Sequence, residues 1–221
     1  MHILIADDHP LYRLALRQAV AESAPGATIG EAEDLAGVQA ALDAAPETDL
    51  VLLDLHMPGA HGLGGLAALR GAHPAVAVVI VSAHEDPATV RRALDFGAAG
   101  YIPKRAGLEQ LRSGLRAVLD CEVWLPLDLR EAVERTPAAP QDGDLAARLT
   151  SLTLQQFRVL SLVAEGRLNK QIADALGIQE RTVKAHMTVV FEKLGVRNRT
   201  QAGILMRSLD VRDAADEASN E

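Results

Sequence analysis

One cysteine, Cys121, occurs among 221 residues, so no intramolecular disulfide can form and a reducing compartment fits. Aromatic residues make up 3% of the chain against 48% hydrophobic, so its cores must be built from Ala, Val, Leu and Ile. No apolar run reaches the ~18 residues that a membrane-spanning helix needs. Residue 2 starts an apolar strand directly, without the basic stretch and short apolar segment of a leader. The expectation is a cytoplasmic, soluble protein with no membrane partner. Zinc-spaced His/Cys sets, Walker loops and nucleophile elbows are also lacking, and the seven histidines are scattered.

Net positive charge is missing too: the chain carries −8 overall. That figure hides an asymmetry. Residues 1–120 hold nine basic and fifteen acidic side chains, whereas residues 151–209 hold nine basic and four acidic. A basic block inside an acidic chain is an electrostatic footprint for nucleic acid. A charged helical bundle that binds protein would show the same block.

Along residues 2–120, short apolar strands alternate with helical patterns. The strands fall at 2–6, 28–32, 50–54, 76–82 and 100–103, and the helices at 11–22, 35–44, 63–72, 87–96 and 108–120. Five such units predict an α/β doubly wound fold, flavodoxin-like, with a five-stranded parallel sheet. The rhythm stops over residues 121–149, where Pro137, Pro140 and Gly143 mark a linker. Residues 150–209 then read as purely helical, at 153–165, 169–176, 180–194 and 200–209, an all-α domain. Residues 210–221 are an acidic tail, expected to be disordered.

Four of the strands run into polar residues: Asp7 and Asp8, Asp54, Ser82, and Lys104. In a parallel α/β sheet all strand C-termini share one edge, where ligands bind. Each residue alone is an ordinary turn or helix-start side chain; together they put three carboxylates, a hydroxyl and an ammonium in one place. Carboxylates so placed repel one another and call for a cation. An all-oxygen set suits Mg²⁺, and a carboxylate beside Mg²⁺ and a lysine suits phosphoryl transfer.

Asp7-Asp8, Asp54 with Met57-Pro58-Gly59, Ser82-Ala83, Tyr101 and Lys104 match, in order and spacing, the receiver domain of bacterial response regulators, which residues 1–120 resemble. The resemblance implies that Asp54 is the phosphoacceptor. It also implies that Asp8 and Asp54 hold Mg²⁺ directly, with the His56 backbone carbonyl, and Asp7 through water. Ser82 and Tyr101 would be the switch pair, and Lys104 would contact the phosphoryl oxygens. His56 and His84 would flank the path of the hydrolytic water. Many receivers have Pro after that lysine; here Arg105 follows it.

In the helical block, Ala173, Gly177 and Val183 have helix-turn-helix spacing. Ile172, Leu176, Ile178, Val183, Val190 and Leu194 would form its core. The block resembles the LuxR/NarL-type DNA-binding domain, and with the receiver the resemblance covers nearly the whole chain. It implies base contacts from Lys184, Ala185 and Thr188, and phosphate contacts from Lys170, Thr182 and Arg199. Residues 200–209 resemble the dimerisation helix of that family. Three positions depart from the pattern: Gln156 stands for Glu, and Leu168 and Gln179 for N-capping Ser or Thr, with Asn169 expected to cap in place of residue 168.

The function implied is a DNA-binding transcriptional regulator, switched by Mg²⁺-dependent phosphorylation of Asp54 from a histidine kinase. Its partners would be double-stranded DNA, that kinase, and a second copy of the chain in a homodimer. The resting receiver is expected to cover or misorient the helical domain. An alternative is the same regulator controlled without phosphorylation. An aspartyl phosphatase is disfavoured, because its second acid would stand where His56 does; no enzyme activity beyond the receiver's own phosphoryl transfer and dephosphorylation is expected.

Overall fold

The computed structural model describes residues 1–137 and 142–211. The strands are β1 (His2–Ala6), β2 (Thr28–Ala32), β3 (Leu50–Asp54), β4 (Ala77–Ser82) and β5 (Gly100–Pro103). They form one parallel sheet in the order β2-β1-β3-β4-β5. Between and after them lie α1 (Pro10–Ser23), α2 (Leu35–Ala44), α3 (Leu63–Ala72), α4 (Pro87–Asp95) and α5 (Leu108–Leu119).

Strand alternation divides the core. Ile3, Ile5, Leu50, Leu52, Val79, Val81 and Ile102 face α1 and α5, packing on Leu16, Val20, Leu111 and Leu115. Leu4, Ala6, Val51, Leu53, Val78, Ile80 and Tyr101 face α2, α3 and α4. Both faces of β1, β3 and β4 are covered, so these strands read as near-continuous aliphatic runs, whereas the edge strand β2 keeps Thr28, Gly30 and Glu31 exposed. The order reverses between β1 and β3, which puts the crevice at the ends of those two strands.

The segment expected to be irregular is partly helical. It contains α6 (Leu127–Arg135) and the start of α7 (Asp142–Thr150); the Pro-rich stretch proper, residues 138–141, lies outside the described residues. Leu129 and Val133 of α6, and Ala146 and Leu149 of α7, are buried in the core cluster of α2–α4. Tertiary packing here overrides the breaker signal of the flanking prolines.

The helical domain comprises α8 (Leu154–Ala164), α9 (Asn169–Leu176), α10 (Glu180–Leu194) and α11 (Arg199–Arg207). Thr153 caps α8, accepting from the Gln156 amide while Gln156 Oε1 accepts from Thr153 at 3.0 Å, so glutamine serves where glutamate was expected. Leu168 and Gln179 precede α9 and α10 without a side-chain cap, and Asn169 is the first helical residue, not the cap. Gln171 compensates in part, accepting from the Leu168 amide at 2.8 Å. Gly177 ends α9 with φ 63°, the left-handed turn on which the helix-turn-helix depends. Ile172, Val183, Val190 and Leu194 are buried, and Leu176 and Ile178 pack half-buried beside them.

The two domains are docked. α3 packs against α7 and α8, and α4 against α6 and α7. The backbones nearly touch: a Cβ on Gly71 would lie 2.2 Å from the Thr150 carbonyl oxygen, and one on Gly62, at φ +58°, 2.2 Å from that of Leu209. Leu209, Asp210 and Val211 therefore lie against the receiver, so Asp210 and Val211 depart from the disorder expected of the tail; residues 212–221 lie outside the described residues.

Candidate functional site

The strand ends converge as the topology requires. Asp7 and Asp54 are buried, at 0% and 1% exposed, while Asp8 is open to solvent. Lys104 Nζ sits between the two buried carboxylates, 2.8 Å from Asp7 Oδ2 and 2.9 Å from Asp54 Oδ2. Burial by itself would raise the Asp54 pKa, but hydrogen bonds from His56 and Lys104 outweigh it and hold the carboxyl below its usual range. Burial likewise works against the Lys104 charge, and the Asp7 and Asp54 oxygens overcome it and raise its pKa. The site thus keeps the Asp54 carboxylate and the Lys104 ammonium ionised at neutral pH.

Asp7, Asp8, His9 and Asp54 present ligand atoms that all lie within 4.8 Å of one another. Their carboxylate oxygens are the hard donors that Mg²⁺ takes, so the residues present fit such an ion. A cavity of about 500 Å³ opens beside them, lined by His9, Leu11, Tyr12, Asp54, His56, Ala83 and Lys104.

Ser82 is fully buried and its Oγ accepts from the His84 amide at 3.1 Å. Tyr101 is turned inward, fully buried, with its hydroxyl donating to the His84 carbonyl at 2.7 Å. Burial, together with the nearby acids Glu85 and Asp54, pushes its pKa up to about 12 despite the opposing Ser82 hydrogen bond. The His56 and His84 rings stack with their centroids 4.5 Å apart.

Sequence reasoning missed three contributors. His9 joins the acidic cluster, with Nδ1 2.7 Å from Asp8 and 3.2 Å from Asp7. Tyr12 lies under Lys104, whose Nζ is 5.1 Å from the ring centroid, a cation–π contact. Arg13 is buried and fixes the first acid through its backbone, Nη1 donating to the Asp7 carbonyl at 2.7 Å, while Glu31 and Glu33 hold the rest of its guanidinium. The adjacency of His9 to Asp7-Asp8 was a readable signal. The roles of Tyr12 and Arg13 were not readable, because α1 had to be placed over the sheet edge first.

On the helical domain, Lys170, Lys184, Ala185 and Thr188 are exposed and Thr182 is half-buried. Lys184 pairs with Glu180 at 3.4 Å, and the Thr188 hydroxyl donates to the Lys184 carbonyl at 3.1 Å. Arg199, expected as a phosphate contact, is half-buried, and its Nη2 donates to the Val163 and Arg167 carbonyls, pinning α11 to the end of α8. The docked receiver packs on α7 and α8 and leaves Lys184, Ala185 and Thr188 exposed.

Comparison with known proteins joins these two sites. Residues 3–116 match the response regulator receiver domain, and residues 150–206 match the bacterial regulatory proteins of the LuxR family. The chain is a response regulator of the LuxR/NarL family. The regulator is 40% identical over 211 residues to the glycerol metabolism activator of Pseudomonas putida, covering 94% of this chain and 96% of that one. It is 35% identical to the nitrate/nitrite response regulator NarP of Escherichia coli strain K12, covering 92% and 93% of the two chains. Among solved structures, the RcsB response regulator of Salmonella typhimurium shares the fold at TM-score 0.54 and 24% identity, over 94% of this chain and 96% of that one. A LuxR family DNA-binding response regulator from Silicibacter pomeroyi matches at TM-score 0.51 and 31% identity, over 58% of this chain and 98% of that one. The regulator therefore combines a receiver with a DNA-binding domain, and among the described residues no helix is long and apolar enough to cross a membrane.

Proposed function

We propose that this regulator is the cytoplasmic output component of a two-component system, with Asp54 as its phosphoacceptor. The observation that carries the reading is Lys104 Nζ held within 2.9 Å of the buried Asp54 carboxylate, beside an acidic cluster that suits a divalent cation. An Asp54 oxygen attacks the phosphorus of a kinase phosphohistidine; the P–N bond breaks and the imidazole keeps the electron pair and takes a proton. Asp8, Asp54 and the His56 carbonyl would hold Mg²⁺, with Asp7 acting through water, and the ion would supply charge neutralisation at the transferring group. Lys104 shifts from its carboxylate pairs to the phosphoryl oxygens, and the Ser82 hydroxyl turns from the His84 amide to the same group. Water later attacks the acyl phosphate, returning inorganic phosphate and the Asp54 carboxylate. No other substrate is turned over.

The docked arrangement supplies the coupling. The loop 55–62 that follows Asp54 carries His56, whose Nε2 lies 3.1 Å from the Val211 carbonyl oxygen, and His61, 3.9 Å from Asp210. Arg92 of α4 donates to the Ser208 carbonyl at 3.2 Å and pairs with Asp142 of α7 at 3.1 Å. A phosphoryl group on Asp54 redistributes charge at the loop that holds the helical domain, and so biases docked against undocked chains. Undocked helical domains pair through α11 as a homodimer and read double-stranded DNA with Lys184, Ala185 and Thr188, while Lys170 and Thr182 hold phosphates. Arg199, engaged with backbone carbonyls here, is a phosphate contact only if those bonds open.

The test treats the protein with a small phosphodonor and Mg²⁺ and follows DNA affinity and dimerisation, alongside Asp54→Ala. A gain in both that Asp54→Ala lacks is expected. The same gain in Asp54→Ala, or none in the wild type, removes the switch.

A further inference from the structure

Phosphoryl transfer to Asp54 asks Lys104 to change partners. At rest its Nζ lies 2.8 Å from Asp7 Oδ2 and 2.9 Å from Asp54 Oδ2. Once Asp54 carries a phosphoryl group its carboxylate charge is gone, and the attraction moves to the phosphoryl oxygens. A lysine stem is flexible and its ammonium is strongly hydrated, so the exchange opens a route to solvent, and the Lys104 side chain is already 17% exposed. One neighbour does not change during the exchange. Nζ sits over the Tyr12 ring, 5.1 Å from its centroid, inside the ~6 Å reach of a cation–π contact.

The fold fixes that ring. Tyr12 lies in the first turn of α1, its amide donates to the His9 carbonyl at 3.1 Å, and it packs half-buried on the core beneath α1 and α5. The next residue, Arg13, donates to the Asp7 carbonyl at 2.7 Å. Consecutive residues of one helix therefore brace two strand ends, β1 through Arg13 and the lysine after β5 through Tyr12. The phenolic hydroxyl has no share in this. Tyr12 Oη is buried without a hydrogen-bond partner among the described residues. Burial, and then the Asp7 and Asp54 charges, raise its pKa, so the phenol stays neutral and carries no proton to or from the site. What Lys104 meets is the π face.

We infer that Tyr12 is a positioning residue for phosphoryl transfer: its ring keeps the Lys104 ammonium in the site while that ion exchanges the Asp54 carboxylate for the phosphoryl oxygens. The inference rests on Asp54 being the phosphoacceptor. The attraction comes from the ring quadrupole and needs no hydroxyl. Phenylalanine therefore serves in its place, and an aliphatic side chain does not.

The experiment compares the full wild-type chain with Tyr12→Leu and Tyr12→Phe. It reads the initial rate of phosphorylation by acetyl phosphate with Mg²⁺, and, without any phosphodonor, the NMR shift of the Lys104 ε-methylene protons, which the ring current moves upfield. Urea midpoints ensure that rates are compared between folded chains, and Tyr12→Met carries the same test should Tyr12→Leu not fold. The expected result is a rate about fivefold lower in Tyr12→Leu, in the range of a lost cation–π contact, and restored in Tyr12→Phe. The Lys104 signals should lie upfield in the wild type and Tyr12→Phe but not in Tyr12→Leu. If the wild type takes up no phosphoryl group, the phosphoacceptor reading and this inference fall together. If it does, but the Lys104 signals are unshifted, Tyr12→Leu reacts as fast, or Tyr12→Phe fails to restore the rate, the role of Tyr12 alone falls.

Discussion

The backbone amide of Leu63 donates to the carbonyl oxygen of Leu209 at 3.1 Å. Leu63 is the first residue of α3, and the first amides of a helix have no partner within it. The helical domain therefore caps a receiver helix, immediately after the loop that carries His56 and His61. Whatever moves that loop must break this bond or carry the helical domain with it.

Docking should be sensitive to Gly71. A Cβ there would collide with the Thr150 carbonyl in the docked chain, whereas Ala within a helix is favoured over Gly by about 1 kcal/mol. Gly71→Ala should therefore stabilise an isolated receiver by about 0.5–1 kcal/mol and separate the domains of the full chain. Urea unfolding of the receiver and scattering of the full chain check the two opposite effects; a full chain that stays docked refutes the close approach.

Lys104→Met should leave two buried carboxylates facing each other. Asp54 has a lowered pKa in the folded protein, so its pairing stabilises above the unfolded value of about 4 and that contribution is lost as pH falls through the folded pKa. Lys104 has a raised pKa, so its contribution is full below about 10.4 and is lost as pH rises through the folded value. The variant should be less stable by about 1–3 kcal/mol at pH 7, with the gap closing below about pH 4. Urea midpoints measured from pH 3 to 9 give the profile, and a gap that persists in acid would rule out the carboxylates as its source.

Lys184→Ala and Arg199→Ala should separate by readout. Lys184 is exposed on α10, so its loss should weaken DNA binding with little change in folding stability. Arg199 donates to the Val163 and Arg167 carbonyls, so its loss should destabilise the helical domain by about 1–2 kcal/mol. DNA titrations at several salt concentrations, paired with thermal melts, discriminate them. A salt slope reduced by about one in Arg199→Ala at unchanged stability would make it a phosphate contact.

Tyr101→Phe removes the hydroxyl that bonds the His84 carbonyl at 2.7 Å. That carbonyl has lost its phenolic donor, and stability should fall by about 1 kcal/mol. The loop carrying Ser82 and His84 should exchange its amide hydrogens faster; unchanged protection there would show that the bond does not hold the loop.

Local rules were enough for much of this. The aliphatic strands β1, β3 and β4 announced themselves because a sheet covered on both faces needs side chains that are apolar on both, and the break at Gly177 was readable because only a left-handed residue continues α9 into α10 that way. The convergence of Asp7, Asp54, Ser82 and Lys104 followed from topology alone. The helix α6 was missed since its apolar positions, Leu129 and Val133, are few and its stability comes from packing on α4.

The sequence by itself determined the two domains, the acidic edge and its lysine, and the reading helix, because periodicity, strand-end position and turn residues are properties of neighbours along the chain. The tertiary structure alone decided that Tyr12 underlies Lys104, that Arg13 anchors Asp7, that Arg199 is spent on backbone carbonyls, and that Gly62 and Gly71 admit the helical domain. Those relations join residues remote in sequence, and their energies arise from close packing and desolvation, which exist only once the elements are in place.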